Sequence, residues 1–159
     1  MDNAPAWPKS LRVVFVLALT GLAISTYLTY IHFTSPASLA CAENGVINCT
    51  KVTTSAQSYI MGVPVSVLGL VYFVAMVLLS IPRAACSYVL SIARLATASI
   101  GMIFVLYLLA AELLIIRSIC LWCSAVHVVS FAIFVITVLT TPPLLARLSK
   151  ESEKNEEGS

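Results

Sequence analysis

Residues 118–146 have the sequence SICLWCSAVHVVSFAIFVITVLTTPPLLA, and no charged side chain occurs between Arg117 and Arg147. The hydrocarbon core of a bilayer is about 30 Å thick, and a helix needs about 20 apolar residues to cross it. Backbone polar groups in lipid must form hydrogen bonds within their own segment, so an isolated run of this length is a helix and not a strand. The stretch therefore predicts a membrane-spanning helix that begins close to Cys120.

The whole chain has the composition of a membrane protein. Of its 159 residues, 60% are hydrophobic and 10% are charged, and the mean hydropathy is +0.99. A soluble domain is typically about 45–50% apolar and about 25% charged, and a small one has too much surface to bury so many apolar side chains. The composition excludes a soluble enzyme, a disordered chain and a nucleic-acid-binding protein.

Three further apolar stretches complete a predicted all-α integral membrane fold, a bundle of four transmembrane helices. The spans cover about residues 11–32, 62–82, 95–117 and 120–142, with an outward-facing loop or short helix between the first two. Together they form one four-helix membrane domain over residues 1–148. The remaining residues, 149–159, are strongly charged and are expected to form a disordered cytoplasmic tail.

The basic residues predict which side of the membrane each loop faces, because cytoplasmic loops carry an excess of Lys and Arg. Two basic residues, Lys51 and Arg117, fall on one side of the four-span bundle. Seven fall on the other side, namely Lys9, Arg12, Arg83, Arg94, Arg147, Lys150 and Lys154. Both termini are therefore expected in the cytoplasm, and the loop after the first span is expected outside.

Four of the five cysteines lie on the outer side in this topology. Cys41 and Cys49 occupy the first outer loop, and Cys120 and Cys123 form a CxxC motif at the start of the fourth span. Disulfides persist on such an oxidising side of a membrane. Cys86 falls in the cytoplasmic loop, where a free and partly buried thiol is expected.

The CxxC spacing suits thiol–disulfide exchange. Residues three apart share one face of a helix, and the positive end of the helix dipole lowers the pKa of a thiol in the first turn. The same cysteines are compatible with a four-cysteine zinc site or with fixed disulfides in a non-catalytic membrane scaffold. We favour redox chemistry without a metal, because zinc sites usually occur in soluble loops and this pair begins a membrane helix. Asn44 and Gly45 favour a turn that lets the loop cysteines bond to each other.

His127 and Glu112 are ionisable residues within the predicted spans, where such residues are functional candidates. His127 lies one turn after Cys123 on the same helix face, where its imidazole can bind a quinone carbonyl or another helix. Glu112 lies eight residues before Cys120, about 12 Å along a continuous helix axis. A proton relay, a bond to another helix and a pairing with an arginine all remain open for this carboxyl group.

Taken together, these features resemble the vitamin K epoxide reductase family in its bacterial form. The four spans, the loop cysteine pair and the CxxC motif opening the last span carry the resemblance over nearly the whole chain. Two local strings agree with it, Cys49-Thr50-Lys51-Val52 leading to Ser55 and Gly62-Val63-Pro64-Val65 followed by Gly69. The order of the cysteine pairs differs from that of the DsbB type of oxidase, which has its CxxC motif in the first outer loop.

The resemblance implies a membrane thiol:quinone oxidoreductase that supports disulfide-bond formation. It implies that Cys41 exchanges with a partner protein, that Cys49 passes electrons to Cys120, and that Cys123 lies beside the quinone. Ubiquinone, menaquinone and a vitamin K-type quinone are all compatible with it. Within the family, reduction of vitamin K epoxide or quinone in an endoplasmic reticulum membrane is the alternative activity.

Two further residues and the partner follow from the same resemblance. Ser55 stands six residues after Cys49, where the family has a Ser or Thr that supports the loop and the charged intermediate. His127 occupies the position of a quinone-contacting tyrosine in the animal enzymes. Many bacterial members carry a fused thioredoxin-like domain, so the expected partner here is a DsbA-like or thioredoxin-like protein acting in trans. The expected location is the bacterial cytoplasmic membrane, with the active site facing outward.

Overall fold

Five α-helices and one short hairpin follow one another in the part of the chain that the structure, a computed structural model, describes. This part comprises residues 8–35, 39–41, 44, 46–81 and 87–157, with the backbone alone over 143–145 and 147–157. Cys86, expected as a free thiol, lies outside the described residues. The elements are α1 (Lys9–Thr34), α2 (Cys49–Thr53), β1 (Tyr59–Ile60), β2 (Val63–Pro64), α3 (Val65–Leu79), α4 (Tyr88–Ala110) and α5 (Leu121–Glu157).

Three stretches of helix among the described residues are long and apolar enough to cross a membrane. They are Lys9–Thr34, Tyr88–Ile116 and Leu121–Pro142, which correspond to the first, third and fourth predicted spans. Only 28%, 28% and 22% of the residues in their most apolar windows are buried inside the protein. Most of these apolar side chains therefore face outward, as lipid-exposed side chains do, and the chain is a multi-pass membrane protein.

Helix α3 is shorter than the predicted second span over residues 62–82. Its 15 residues correspond to about 22 Å at 1.5 Å per residue, less than the bilayer core of about 30 Å. The helix begins three residues later than predicted, because Gly62, Val63 and Pro64 form a turn and a strand, and it ends at Leu79, three residues before the predicted limit. Such a turn is invisible in a hydropathy pattern, since the segment is apolar and uncharged.

The hairpin before α3 is built on a two-residue turn. Strand β1 pairs antiparallel with β2, and Ile60 lies opposite Val63. Met61 and Gly62 both have positive φ, 51° and 82°, the combination that matches the twist of a tight hairpin. Pro64 ends the hairpin and precedes the first residue of α3, a position where its fixed φ does not interrupt helical hydrogen bonds.

Helix α4 begins at Tyr88, seven residues before the predicted boundary at 95. Ser87 caps the helix, and its side chain accepts a hydrogen bond from the Leu90 N–H at 3.4 Å. Arg94 lies inside the helix and does not mark its start. Its guanidinium is buried and donates to the Leu79 carbonyl at the end of α3, 3.3 Å away. A cation is stabilised at the negative end of a helix, so Arg94 joins α4 to α3.

The expected disordered tail is a second difference in secondary structure. The backbone from residue 149 to Glu157 continues α5 without a break, while residues 158–159 lie outside the description. Lys and Glu are good helix formers, and extending an existing helix requires no new nucleation. The high charge of this segment is therefore compatible with a helix, and disorder was the wrong expectation for its backbone up to Glu157.

The long helices pack as a bundle in which α1 contacts α3 and α5, and α4 contacts the same two helices. Two close approaches hold α3 in place: a Cβ on Gly21 of α1 would overlap the Phe73 ring, and one on Gly101 of α4 would overlap the Tyr72 ring. Small residues at such positions let membrane helices approach closely. All four helices contribute to one buried core, formed by Val14, Ala18, Phe73, Met76, Ala98 and Ile133.

Candidate active site

The loop between α1 and α2 carries a disulfide between Cys41 and Cys49, whose Cα atoms are 6.2 Å apart. A turn within the loop is closed by the Asn44 N–H, which donates to the Ile47 carbonyl at 3.0 Å. Cys49 begins helix α2, which is capped by the Asn48 side chain through a hydrogen bond from the Lys51 N–H at 2.8 Å. The loop pair is thus bonded and its second cysteine is fixed at a helix start.

A short backbone pairing brings the loop against the CxxC motif. The Asn48 N–H donates to the Ile119 carbonyl at 3.1 Å, and the Ile119 N–H donates to the Val46 carbonyl at 3.0 Å. Ile47 and Ile119 form a parallel bridge between these bonds. The residues that directly precede Cys49 and Cys120 are therefore held side by side.

All four cysteines belong to one apolar cluster at this end of the bundle. Cys49 and Cys120 are fully buried in it, with Leu28, Leu39, Val52 and Ile116. Cys41 and Cys123 pack against the same cluster and are partly exposed. The expected gathering of the loop pair and the helix pair at one end of the bundle is found in the structure.

The CxxC motif follows a sharp reversal of the chain. The last turn of the third long helix, Ala111–Ile116, is a π-helix, and Arg117 adopts a left-handed backbone conformation with φ of 52°. The Ser118 N–H donates back to the Glu112 carbonyl at 3.2 Å. This reversal directs Cys120 toward the loop and starts α5 one residue later.

Lys51 fastens the loop helix to this reversal. Its Nζ donates to the Ile116 carbonyl at 2.9 Å and to the Ser118 hydroxyl at 3.2 Å. Its positive charge therefore lies at the carbonyl end of a helix, where a cation is stabilised. In the sequence Lys51 helped to assign topology and formed part of the string Cys49-Thr50-Lys51-Val52, and neither use predicted this contact.

Cys120 and Cys123 are both unbonded and interact with each other. The Cys123 N–H donates to the Cys120 sulfur at 3.4 Å. A hydrogen bond from the Cys123 thiol lowers the pKa of the Cys120 thiol, and the N–H groups of Cys123 and Trp122 act in the same direction. Burial and the charge of Glu112 oppose this shift without reversing it. The lowering agrees with the expectation for a thiol at a helix N-terminus.

Trp122, between the two cysteines of the motif, holds the other side of the loop. Its Nε1 donates to the Ala40 carbonyl at 2.8 Å, next to Cys41. Its ring lies 5.0 Å from the ring of Tyr27, whose hydroxyl accepts a hydrogen bond from the Ala40 N–H at 3.5 Å. No pattern in the sequence pointed to this contact, because 82 residues separate its two partners.

A cavity of about 390 Å³ lies beside the motif between α1, α3, α4 and α5, and its lining is mostly apolar. Of the four cysteines just described, Cys123 alone lines it. Ser55, Glu112 and His127 line it as well. Small-molecule sites are typically apolar clefts of about 300–1,000 Å³ with a few polar groups, so the cavity has the size and character of a ligand site.

His127 supplies an unsatisfied polar atom to this cavity. Its side chain is buried, and its Nδ1 has no hydrogen-bond partner among the described residues. The hydroxyl of Tyr72, a second residue lining the cavity, lies near Ser130 but without the geometry of a hydrogen bond. Buried polar atoms are normally paired, so both groups are available to a ligand. No sequence pattern indicated Tyr72, since an aromatic residue in an apolar helix is usually a packing residue.

Ser55 lies at the rim of the same cavity and stabilises the loop. Its hydroxyl donates to the Val52 carbonyl at the end of α2, 2.8 Å away. Its own carbonyl accepts from the Ser58 N–H at 3.0 Å and closes the single 3₁₀ turn Ala56–Ser58. Support of the loop, one half of the role that the family resemblance implies, is compatible with these contacts.

Glu112 lies much closer to the motif than the distance of about 12 Å along a continuous helix predicts. The carboxyl group contacts the Cys120 N–H and the Cys123 thiol. The prediction was wrong because the helix ends at Ile116 and the chain folds back. Two residues that are eight apart in sequence therefore become neighbours.

Comparison with known proteins places the chain in a family. No curated protein matches this chain. The sequence model of the Vitamin K epoxide reductase family matches residues 12–138, a range that contains α3, α4 and both cysteine pairs and includes parts of α1 and α5. An oxidoreductase function at the membrane, linked to disulfides and quinones, follows from this match. The chain belongs to the vitamin K epoxide reductase family.

Proposed function

We propose that this protein is a membrane thiol:quinone oxidoreductase that oxidises a secreted thioredoxin-fold protein and reduces a membrane quinone. The observation that carries the proposal is the position of the CxxC motif. Cys120 lies in the cluster with the loop disulfide, and Cys123 lines the apolar cavity. One cysteine pair thus joins a disulfide near the protein surface to a site inside the bundle.

Exchange with the partner begins at Cys41. Cys41 is partly exposed whereas Cys49 is fully buried, so Cys41 is the sulfur that a partner thiolate reaches. The partner thiolate attacks Cys41, the Cys41–Cys49 bond breaks, and Cys49 leaves as a thiolate. The partner's second thiol then attacks the mixed disulfide and releases Cys41, which leaves the partner oxidised and the loop pair reduced.

The second exchange passes the electrons to the helix pair. The Cys49 thiolate attacks Cys120 of an oxidised Cys120–Cys123 pair, and Cys123 leaves as a thiolate. Cys41 then attacks Cys49 and restores the loop disulfide, and Cys120 leaves. The lowered pKa of Cys120 favours this last departure, because a thiol of low pKa leaves faster. A bonded loop pair beside an unbonded helix pair is the arrangement that this exchange produces.

The cavity residues fit a quinone as electron acceptor. The wall is apolar, as a lipid-soluble ring and tail require, and His127 and Tyr72 offer unpaired polar atoms to ring oxygens. A quinone takes two electrons and two protons from a dithiol, giving a quinol and a disulfide. Residues from all four helices line the cavity, so the packing of the bundle sets its shape.

We also propose that α3 crosses the membrane as the second of four spans, although it is only 15 residues long. It packs against both α1 and α4, which are themselves long enough to cross, and a shorter span is accommodated by local thinning of the bilayer. With four spans, the distribution of basic residues supports cytoplasmic termini and cysteines on the outer side. The proposed setting is a bacterial cytoplasmic membrane, with a DsbA-like or thioredoxin-like partner in trans.

Reconstitution tests the proposed function. Purified protein, a reduced DsbA-like substrate and a short-chain quinone are mixed, and both quinol formation and partner thiols are followed. We expect stoichiometric transfer that is abolished by Cys41→Ala or Cys123→Ala, while Ser99→Ala, on α4 and outside the cavity lining, stays active. A scaffold with fixed disulfides would show no transfer, and quinol formation that persists in Cys123→Ala would exclude the proposed route.

A further inference from the structure

Glu112 is a buried carboxyl group that the exchange steps above do not use. It is only 4% exposed and lies within the apolar helix Tyr88–Ile116. An ionisable side chain inside a membrane span is costly, and such residues usually have a functional role. Glu112 contacts the two cysteines of the CxxC motif and also lines the cavity. It therefore connects the reacting thiol with the ligand site.

The chain reversal explains why Glu112 is held there. Glu112 lies in the π-helical turn, and its carbonyl accepts a hydrogen bond from the Ser118 N–H. π-helical turns are rare and frequently occur at functional sites. The carboxyl group also interacts with Cys120, which directly precedes α5. Both the backbone and the side chain of Glu112 are thus fixed against the segment that carries the two cysteines.

The neighbouring charged and titratable groups leave the carboxyl group directed at the thiols. These groups are Cys120, directly before α5, and Cys123 and His127 on α5, and the imidazole lines the same cavity. On α2, the Nζ of Lys51 binds the Ile116 carbonyl and the Ser118 hydroxyl. The Cys123 thiol therefore neighbours both the Cys120 sulfur and the Glu112 carboxyl group, and its one hydrogen can be donated to either.

We propose that Glu112 is the general base and then the general acid of the quinone-reducing step. Its carboxylate takes the proton from the Cys123 thiol, which becomes the electron-donating thiolate. As the Cys120–Cys123 disulfide forms and two electrons pass to the quinone, the Glu112 carboxylic acid returns that proton to a quinone oxygen. The Cys120 thiol supplies the second proton, so one dithiol and one quinone yield one disulfide and one quinol. The proposal rests on the proposed function of the cavity as a quinone site.

The first test needs no quinone. In a Cys120→Ala background, alkylation of Cys123 by iodoacetamide is timed by peptide mass spectrometry, because the thiolate and not the thiol reacts. We expect Glu112→Gln to speed this alkylation several-fold, because a carboxylate charge beside the sulfur disfavours the thiolate and a neutral amide does not, and Ser99→Ala on the same helix to leave it unchanged. Equal alkylation rates with Glu112 and with Gln at this position overturn the proposal.

The second test is a single turnover of protein whose CxxC motif has been reduced beforehand, mixed with a short-chain quinone. We expect Glu112→Gln to slow quinol formation by about 10²-fold or more, the usual worth of a general acid or base, without slowing exchange between the partner and the loop pair. Formate is expected to restore part of the rate in Glu112→Ala, because it supplies the missing carboxyl group. This rescue tests the proposal even where the Gln variant folds poorly.

The outcomes separate the two proposals. A wild-type protein that reduces no quinone removes the proposed function itself. If the wild-type protein and Glu112→Gln reduce quinone at the same rate, Glu112 is not the general acid or base. The same conclusion follows if formate does not accelerate Glu112→Ala. In both cases the proposed function itself is retained.

Discussion

The Asn48 N–H donates to the carbonyl of Ile119 at 3.1 Å, and each of these residues directly precedes a buried cysteine. The bond joins the loop pair to the CxxC motif through the backbone alone. No sulfur takes part in this bond, and it holds the residues that precede Cys49 and Cys120 in neighbouring positions. Electron transfer between the pairs then requires side-chain movement and not a rearrangement of the loop.

A direct consequence is that Cys49 and Cys120 can be trapped as a disulfide. In the double variant Cys41→Ala/Cys123→Ala, each of these two sulfurs has lost its usual partner. Because the backbone pairing remains, we expect a Cys49–Cys120 bond to form under mild oxidation. Peptide mapping by mass spectrometry without reductant detects it.

The matched control is Cys41→Ala/Cys120→Ala, which leaves Cys49 and Cys123. Cys123 is partly exposed and also lines the cavity, whereas Cys120 is fully buried in the cluster with Cys49, so we expect a lower yield of crosslink. Equal yields in the two double variants would contradict the specific pairing of Cys49 with Cys120.

Lys51→Met tests the attachment of α2 to the chain reversal. Met keeps most of the aliphatic stem but loses both hydrogen bonds of Nζ. We expect a loss of about 1 kcal/mol in the free energy of unfolding, below the range of about 1.5–3 kcal/mol for bonds to a charged group, because Lys51 is solvent-exposed. We also expect slower transfer from the loop pair to the helix pair.

Two measurements distinguish this role from an effect on the cavity. Quinol formation by protein with a reduced CxxC motif is expected to keep its wild-type rate in Lys51→Met, because that step does not involve the loop. Lys51→Arg retains a cationic donor and is expected to preserve part of the transfer rate. A defect of equal size in both steps would show that Lys51 acts beyond the loop.

Trp122→Phe removes one hydrogen bond and keeps an aromatic ring beside Tyr27. The lost bond runs from Nε1 to the Ala40 carbonyl, and a bond of this kind contributes about 0.5–1.5 kcal/mol. Because it holds the segment next to Cys41, we expect the Cys41–Cys49 disulfide to react faster with glutathione in the variant. Quenched alkylation followed by gel shift measures the rate.

Tyr27→Phe is the companion variant, since the Tyr27 hydroxyl accepts from the Ala40 N–H at the longer distance of 3.5 Å. We expect a smaller acceleration than in Trp122→Phe. Reduction of the loop disulfide at the wild-type rate in both variants would mean that these contacts do not restrain the loop.

The sequence predicted the long helices and the grouping of cysteines because both depend on coarse features. A span requires only a run of apolar residues, and the ends of Lys9–Thr34 and Leu121–Pro142 lie close to the predicted limits. The CxxC motif then lies at the end of a span by counting, and the loop pair lies on the same side because two predicted spans, the second and the third, separate it from the motif.

The details that the sequence did not predict depend on backbone geometry in apolar segments. The hairpin at Met61 and Gly62 and the π-helical turn containing Glu112 interrupt hydrophobic runs without a change in polarity. Hydropathy is insensitive to such changes, so α3 was predicted too long and Glu112 too far from Cys120. Contacts such as that of Trp122 with Ala40 join distant segments and have no local signature.

His127→Ala tests whether the unpaired imidazole serves a ligand. Its Nδ1 has no partner among the described residues, so removing the ring breaks no hydrogen bond that this part of the structure records for that atom. We expect only a small change in the free energy of unfolding, since the lost volume joins an existing cavity. We expect the KM for a short-chain quinone to rise about tenfold, because one hydrogen bond contributes about 1.4 kcal/mol at most.

Val128→Ala is the matched control, because Val128 is adjacent in α5 but 68% exposed and outside the cavity lining. Its KM for quinone is expected to stay at the wild-type value. The rate of exchange between the partner and the loop pair should be unchanged in both variants, because neither residue contacts the loop cysteines. A wild-type KM in His127→Ala, with full stability, would instead assign the imidazole to helix packing and leave Tyr72 as the polar group that faces the quinone.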